Sequence, residues 1–71
     1  MNKMDAVDVL KSMINILKGY VEDLADYHDV PNQQFQYGEK VAYIECLEMI
    51  QEWELAEENG LDFDIEKKYP I

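Results

Sequence analysis

The chain has no arginine, no threonine, one serine (Ser12), one cysteine (Cys46), one histidine (His28) and two prolines. Each shortage removes a class of function. A single cysteine rules out an internal disulfide, and Cys46, set among apolar residues, reads as a small hydrophobe rather than a catalytic thiol. Without arginine there is no rigid guanidinium fork to read phosphates or guanine edges. The six basic residues are all lysine and face sixteen acids, for a net charge of −10. No basic cluster is present to neutralise phosphates, so neither direct nucleic-acid binding nor attachment to an anionic membrane is expected.

Long apolar runs are also missing. None approaches the ~18 residues that a membrane-spanning helix needs. The opening Met1-Asn2-Lys3-Met4-Asp5 leads into an amphipathic pattern broken by acids, unlike a signal peptide, which points to a cytoplasmic protein. Lysine without arginine, with frequent isoleucine and asparagine, is the usage of an AT-rich genome, such as that of a low-GC bacterium or its phage.

Nucleophilic catalysis lacks its parts. Ser12 and His28 lie more than about four helical turns apart, and Gly19, Gly38 and Gly60 stand alone rather than in a phosphate-binding loop. No catalytic, cofactor or metal residues are assigned, and an enzyme is not expected.

What is present is amphipathic helix. The 71 residues make a single domain, 1–71. A chain of this size buries only ~60% of the surface it exposes when unfolded, and small scaffolds compensate with disulfides, a metal or oligomerisation. With the first two lacking, oligomerisation remains.

Val7, Leu10, Ile14, Leu17, Val21, Leu24 and His28 recur at alternating spacings of three and four, an a/d seam that predicts a helix over about 4–29. Asp5 and Asp8 complement its N-terminal dipole, and Val30 before Pro31 ends it. The apolar arc is wider than the seam: Val9, Met13, Ile16, Tyr20 and Tyr27 flank it, more than one partner helix covers. A second helix is expected over about 32–58, capped by Asp29 or Asn32 and stopped by Asn59-Gly60. It is apolar on two sides. Tyr37, Val41, Ile44, Leu47 and Leu55 form one, and Phe35, Ala42, Cys46, Met49, Ile50 and Trp53 form nearly the opposite one. An antiparallel arrangement of the two would bring Tyr27 near Tyr37 and Lys18 within reach of Glu48. In the tail, 60–71, Leu61, Phe63 and Ile65 alternate with acids, the pattern of an extended segment strapped over the hairpin.

Two-carboxylate helices hold magnesium in all-helical nucleotide hydrolases, and Asp23-x-x-Asp26 and Glu45-x-x-Glu48 share that spacing. Only Glu48 lies among apolar neighbours, and oxygens make a site only where they converge on one ion. A di-iron Glu-x-x-His motif is missing, since Ala25 precedes His28 at that distance. His28 reads instead as a helix-end residue. Asp62-x-Asp64-x-Glu66 begins like a calcium loop, but Lys67 stands where the loop requires glycine.

The expected architecture is therefore all-α: an antiparallel helical hairpin with an extended C-terminal tail, dimerising into a four-helix bundle. The expected function is a non-catalytic protein-interaction or regulatory module, homodimeric and open to another protein partner. Its surface is Met13, Ile16, Tyr20, Tyr43, Ile50, Trp53 and Phe63, because amphipathic aromatics gather at interfaces. Two alternatives follow from the acids. One is a phage-type nucleic-acid mimic that blocks a DNA- or RNA-binding protein; the other is the metal-dependent hydrolase.

Overall fold

Asp5 opens the first helix. In the computed structural model, which describes residues 3–71, its backbone is extended and its Oδ1 accepts the Asp8 N–H at 2.9 Å. That bond satisfies one of the free donors at a helix start. Helix α1 then runs Ala6–Asp23, helix α2 Gln34–Gln51, and a single turn, α3, Ile65–Lys68. Short 3-10 turns cover Pro31–Gln33 and Glu57–Asn59, and no strand occurs among the described residues. Among them, too, no helix is long and apolar enough to cross a membrane.

The seam on α1 does its work in the middle. Ile14 and Val21 are fully buried, Leu10, Leu17 and Leu24 are half-buried, and the ends, Val7 and His28, are exposed. Across from them α2 buries Ile44 and Leu47. Tyr20 meets Tyr43 with ring centroids 5.2 Å apart, while Lys40, earlier on α2, reaches the carbonyls of Ala25 and Tyr27, later than Tyr20. The two helices therefore lie alongside each other in opposite senses.

Both long helices are shorter than their periodicity predicts. The first stops at Asp23 rather than near 29: the Leu24 N–H tightens onto Tyr20 and Val21 carbonyls, and the next carbonyls turn toward Lys40. The second stops at Gln51 rather than Glu58. Trp53 N–H bonds Ile50 O at 2.9 Å and the chain turns back, so Asn59-Gly60 ends the following 3-10 turn instead of α2. There Gly60 adopts φ 115°, a left-handed conformation that glycine enters without a Cβ clash, and Leu61 N–H closes onto Ala56 O at 3.0 Å. Neither Asp29 nor Asn32 caps α2. The Gln34 side chain instead donates to Asp29 Oδ1 (2.7 Å) and Val30 O (3.1 Å), and Gln33 Oε1 accepts the His28 N–H (2.9 Å).

The tail follows its period-two pattern first and departs from it later. Over 61–64 no helix forms; Leu61 and Ile65 are buried and Phe63 is half-buried against the core, while Asp62 and Asp64 are exposed. The departure is the single turn α3: Asp64 caps it by accepting the Lys67 N–H at 3.2 Å, and Tyr69, four residues after Ile65, is the next residue buried. Gln51 fixes the return, donating from Nε2 to Leu61 O (3.1 Å) and Phe63 O (2.8 Å). Ala56, Leu61, Ile65 and Tyr69 thus complete one core with Ile14, Val21, Ile44 and Leu47. Burying a side chain of Leu or Ile size contributes ~1.5–3 kcal/mol, so the segment after α2 matters to stability as much as either long helix.

Candidate functional site

The packing of the tail decides which apolar surface stays bare. Lys18 lies two residues from both Ile16 and Tyr20, hence across α1 from them, and its Nζ sits 5.5 Å over the Phe63 ring rather than at Glu48. The tail therefore covers the Lys18 side of α1. On the other side Val9, Met13, Ile16 and Tyr20, spaced four, three and four apart, form a continuous exposed stripe. Tyr43 of α2 borders it through the Tyr20 ring contact. Ile50, seven residues beyond Tyr43 on α2, lies level with Met13, seven residues before Tyr20 on α1.

A second bare stripe runs along α2, away from the buried line Lys40–Ile44–Leu47. It consists of Phe35, Gly38, Ala42, Cys46 and Met49, all exposed. Phe35 and Met49 are the most exposed large hydrophobics of the described residues, at 76% and 75%. Apolar side chains this open are what a covering surface would bury.

The seven residues singled out in the sequence thus divide. Met13, Ile16 and Tyr20 stand on the open stripe; Tyr43, Ile50, Trp53 and Phe63 are half-buried and pack against this chain's own core. Phe63 lies edge-on to Tyr69 at 6.0 Å and beneath Lys68, whose Nζ is 4.4 Å from its centroid. At a half-exposed position such a cation–π contact contributes ~0.5–1 kcal/mol.

Lys40 was not singled out by sequence, yet it is only 3% exposed. Its ammonium donates to Ala25 O at 3.3 Å and Tyr27 O at 3.1 Å. The last turn of α1 holds no basic residue, so α2 supplies the cation that its C-terminal carbonyls favour. Lys40 also walls a cavity of about 210 Å³ with Val21, Ala25, His28, Lys68, Tyr69 and Pro70. His28 is exposed and its backbone, not its ring, carries the hydrogen bond to Gln33. The Tyr69 hydroxyl is buried with no hydrogen-bond partner among the described residues. Burial first, and the nearby Glu22 carboxylate second, push its pKa above the ordinary 10.0.

The acids face outward. Asp23, Asp26 and Glu45 are exposed, and Glu48 joins Glu52, Asp64 and Glu66 along an open cleft of about 390 Å³ between α2 and the tail. Among the described residues no group of three or more His, Cys, Asp or Glu side chains is placed to hold a metal ion. Comparison with known proteins gives no matching family model, no matching curated protein and no matching solved structure.

Proposed function

We propose that this protein is a small non-catalytic interaction module that works as a homodimer of helical hairpins, bringing four long helices together and presenting aromatic surface to a further protein. The supporting observation is surplus surface. The chain exposes 5289 Å², whereas a folded monomer of 8.4 kDa exposes about 4,600 Å². Val9, Met13, Ile16 and Tyr20 on α1 and Phe35 and Met49 on α2 contribute to that surplus, apolar side chains that a partner would cover. Shape agrees with area. The molecule measures 44 × 29 × 15 Å, and a dimension of 15 Å leaves little room to cover a helix on both sides.

The test is mass against concentration, by sedimentation or light scattering, from about 1 μM to about 1 mM, the range of moderate to weak specific association. A shift from one chain to two is expected. A single 8.4 kDa species across that range, with the helices intact, would overturn the reading.

A second reading has its own observation, the cleft lined by Glu48, Glu52, Asp64 and Glu66 on a chain of net charge −10. Carboxylates so arranged suit a mimic of a nucleic-acid backbone that blocks the basic groove of a DNA- or RNA-binding protein. Salt separates the two. Binding to a basic groove weakens steeply as ionic strength rises, whereas an apolar contact between two acidic chains holds or tightens.

A further inference from the structure

We infer that the cavity walled by Lys40, Lys68 and Tyr69 binds a small organic monocarboxylate, an anion with an aromatic or short aliphatic body. Three segments build it. Val21 and Ala25 come from α1 and the turn after it, Lys40 from α2, and Lys68, Tyr69 and Pro70 from the tail. None of them belongs to either bare stripe, so the inference stands apart from self-association.

Charge is the first observation. The chain holds sixteen acids, yet none lines this cavity, whereas two of its six lysines and its one histidine do. Glu22, near the Tyr69 hydroxyl, is not among the walls. Burial is the second observation. Lys40 is almost wholly buried, and both hydrogen bonds of its ammonium go to neutral carbonyls, Ala25 O and Tyr27 O. An ammonium has one donor more than these two bonds use. A buried cation costs stability unless an anion and hydrogen bonds offset its desolvation. A ligand carboxylate supplies the anion and the acceptor together. Lys68 stands at the same cavity, as does His28, whose backbone rather than ring is engaged by Gln33.

The remaining walls select the body of the ligand. Val21, Ala25, Pro70 and the Tyr69 ring offer hydrocarbon, and pockets for small molecules join such walls to a few polar groups. A volume of about 210 Å³ exceeds the ~150 Å³ in which an apolar protein cavity holds benzene. That leaves room for a ring, or a chain of similar bulk, with its carboxylate. Phosphate suits the site less, since it has no apolar part and would set a larger charge against hydrocarbon.

Benzoate is the probe. The full chain, isotope-labelled, is titrated at constant ionic strength with benzoate, benzamide and inorganic phosphate, and its amide signals are followed by NMR. Benzoate should saturate with a Kd of ~1 mM or tighter, moving the amides of Val21, Ala25, Lys40 and Tyr69 and sparing Met13 and Met49. Benzamide keeps the ring without the charge, and should bind about tenfold more weakly or worse, as loss of a charge-assisted hydrogen bond implies. Phosphate should also bind more weakly than benzoate. Lys40→Met removes bonds that hold the fold, so two milder variants carry the test. Lys68→Gln should weaken benzoate about two- to fivefold. Ala25→Leu fills the cavity from an exposed position and should abolish the shifts with every charge in place. No saturable shift up to about 20 mM benzoate, equal binding of benzamide or of phosphate, or full-strength binding in either variant overturns the assignment.

Discussion

The Lys40 ammonium and the Tyr27 carbonyl lie 3.1 Å apart in a part-buried contact, with Lys40 itself buried. With the companion bond to Ala25 O it ties the end of α1 to the second turn of α2 across the whole interhelical loop. Besides its backbone turn bonds, the loop carries side-chain bonds from Gln33 and Gln34, all exposed. Replacing Lys40 by methionine keeps the apolar stem and removes both donors. Hydrogen bonds to a charged group contribute ~1.5–3 kcal/mol, so a loss of about 2 kcal/mol is expected. For a domain of this size that lowers Tm by roughly 10 °C, measurable by circular dichroism.

The tail is expected to be part of the cooperative fold. Leu61 is fully buried, so Leu61→Ala should cost ~2–5 kcal/mol and leave little of the folded state. Gln51→Ala removes only the two bonds to Leu61 O and Phe63 O. It should speed hydrogen exchange at the tail amides, Lys68 and Tyr69 among them, and in the middle of α1 to the same degree. Faster exchange in the tail with α1 still protected would show that the tail opens on its own.

Tyr69 sets an alkaline limit. Burial and Glu22 hold its folded pKa above the 10.0 of the unfolded chain. The folded state thus keeps its proton more tightly, and the stability this supplies is full below pH 10 and declines as pH rises through and beyond it. Tyr69→Phe should abolish that slope. Because the hydroxyl is buried without a partner, the same substitution should also raise stability near neutral pH, by about 1 kcal/mol. A drop in stability instead would mean that the hydroxyl is bonded in solution.

Glycines give a graded test of the backbone. A Cβ at Gly19 meets nothing within 4 Å, so Gly19→Ala should stabilise α1 by ~0.5–1 kcal/mol. Gly60, at φ 115° with Ile14 Cγ2 3.5 Å from the added Cβ, should respond in the opposite direction. A side chain in that left-handed region costs ~1–2 kcal/mol. Thermal melts of the two variants should move apart from wild type in opposite senses.

Charge predicts the salt response of self-association. Two chains of net charge −10 repel each other, and the Debye length falls from ~30 Å at 0.01 M to ~10 Å at 0.1 M salt. Dimer formation should therefore strengthen with added salt. Weakening would indicate that ion pairs, not apolar contact, hold the copies together.

The sequence by itself determined that the chain is helical, where its two long amphipathic segments lie, and that α1 turns Ile14 and Val21 inward. These follow from a local period, which any short stretch of chain carries. It also showed that α2 is apolar on two sides, though not which side stays bare. Tertiary structure decided the rest. The ends of both long helices depend on partners remote in sequence: Lys40 draws off carbonyls after α1, and Gln51, the last residue of α2, holds the Leu61 and Phe63 carbonyls of the returning tail. Acid–apolar alternation in the tail turned Leu61, Phe63 and Ile65 inward and Asp62 and Asp64 outward, as the structure has them. It did not show the turn α3, which Asp64 caps and which carries Tyr69, four residues after Ile65, into the core. The return of this tail over the hairpin covered one flank of the fold and left Met13, Ile16 and Tyr20, with Phe35 and Met49, facing outward. Sequence periodicity is local, and the coverage of a face is set by which other segments reach it.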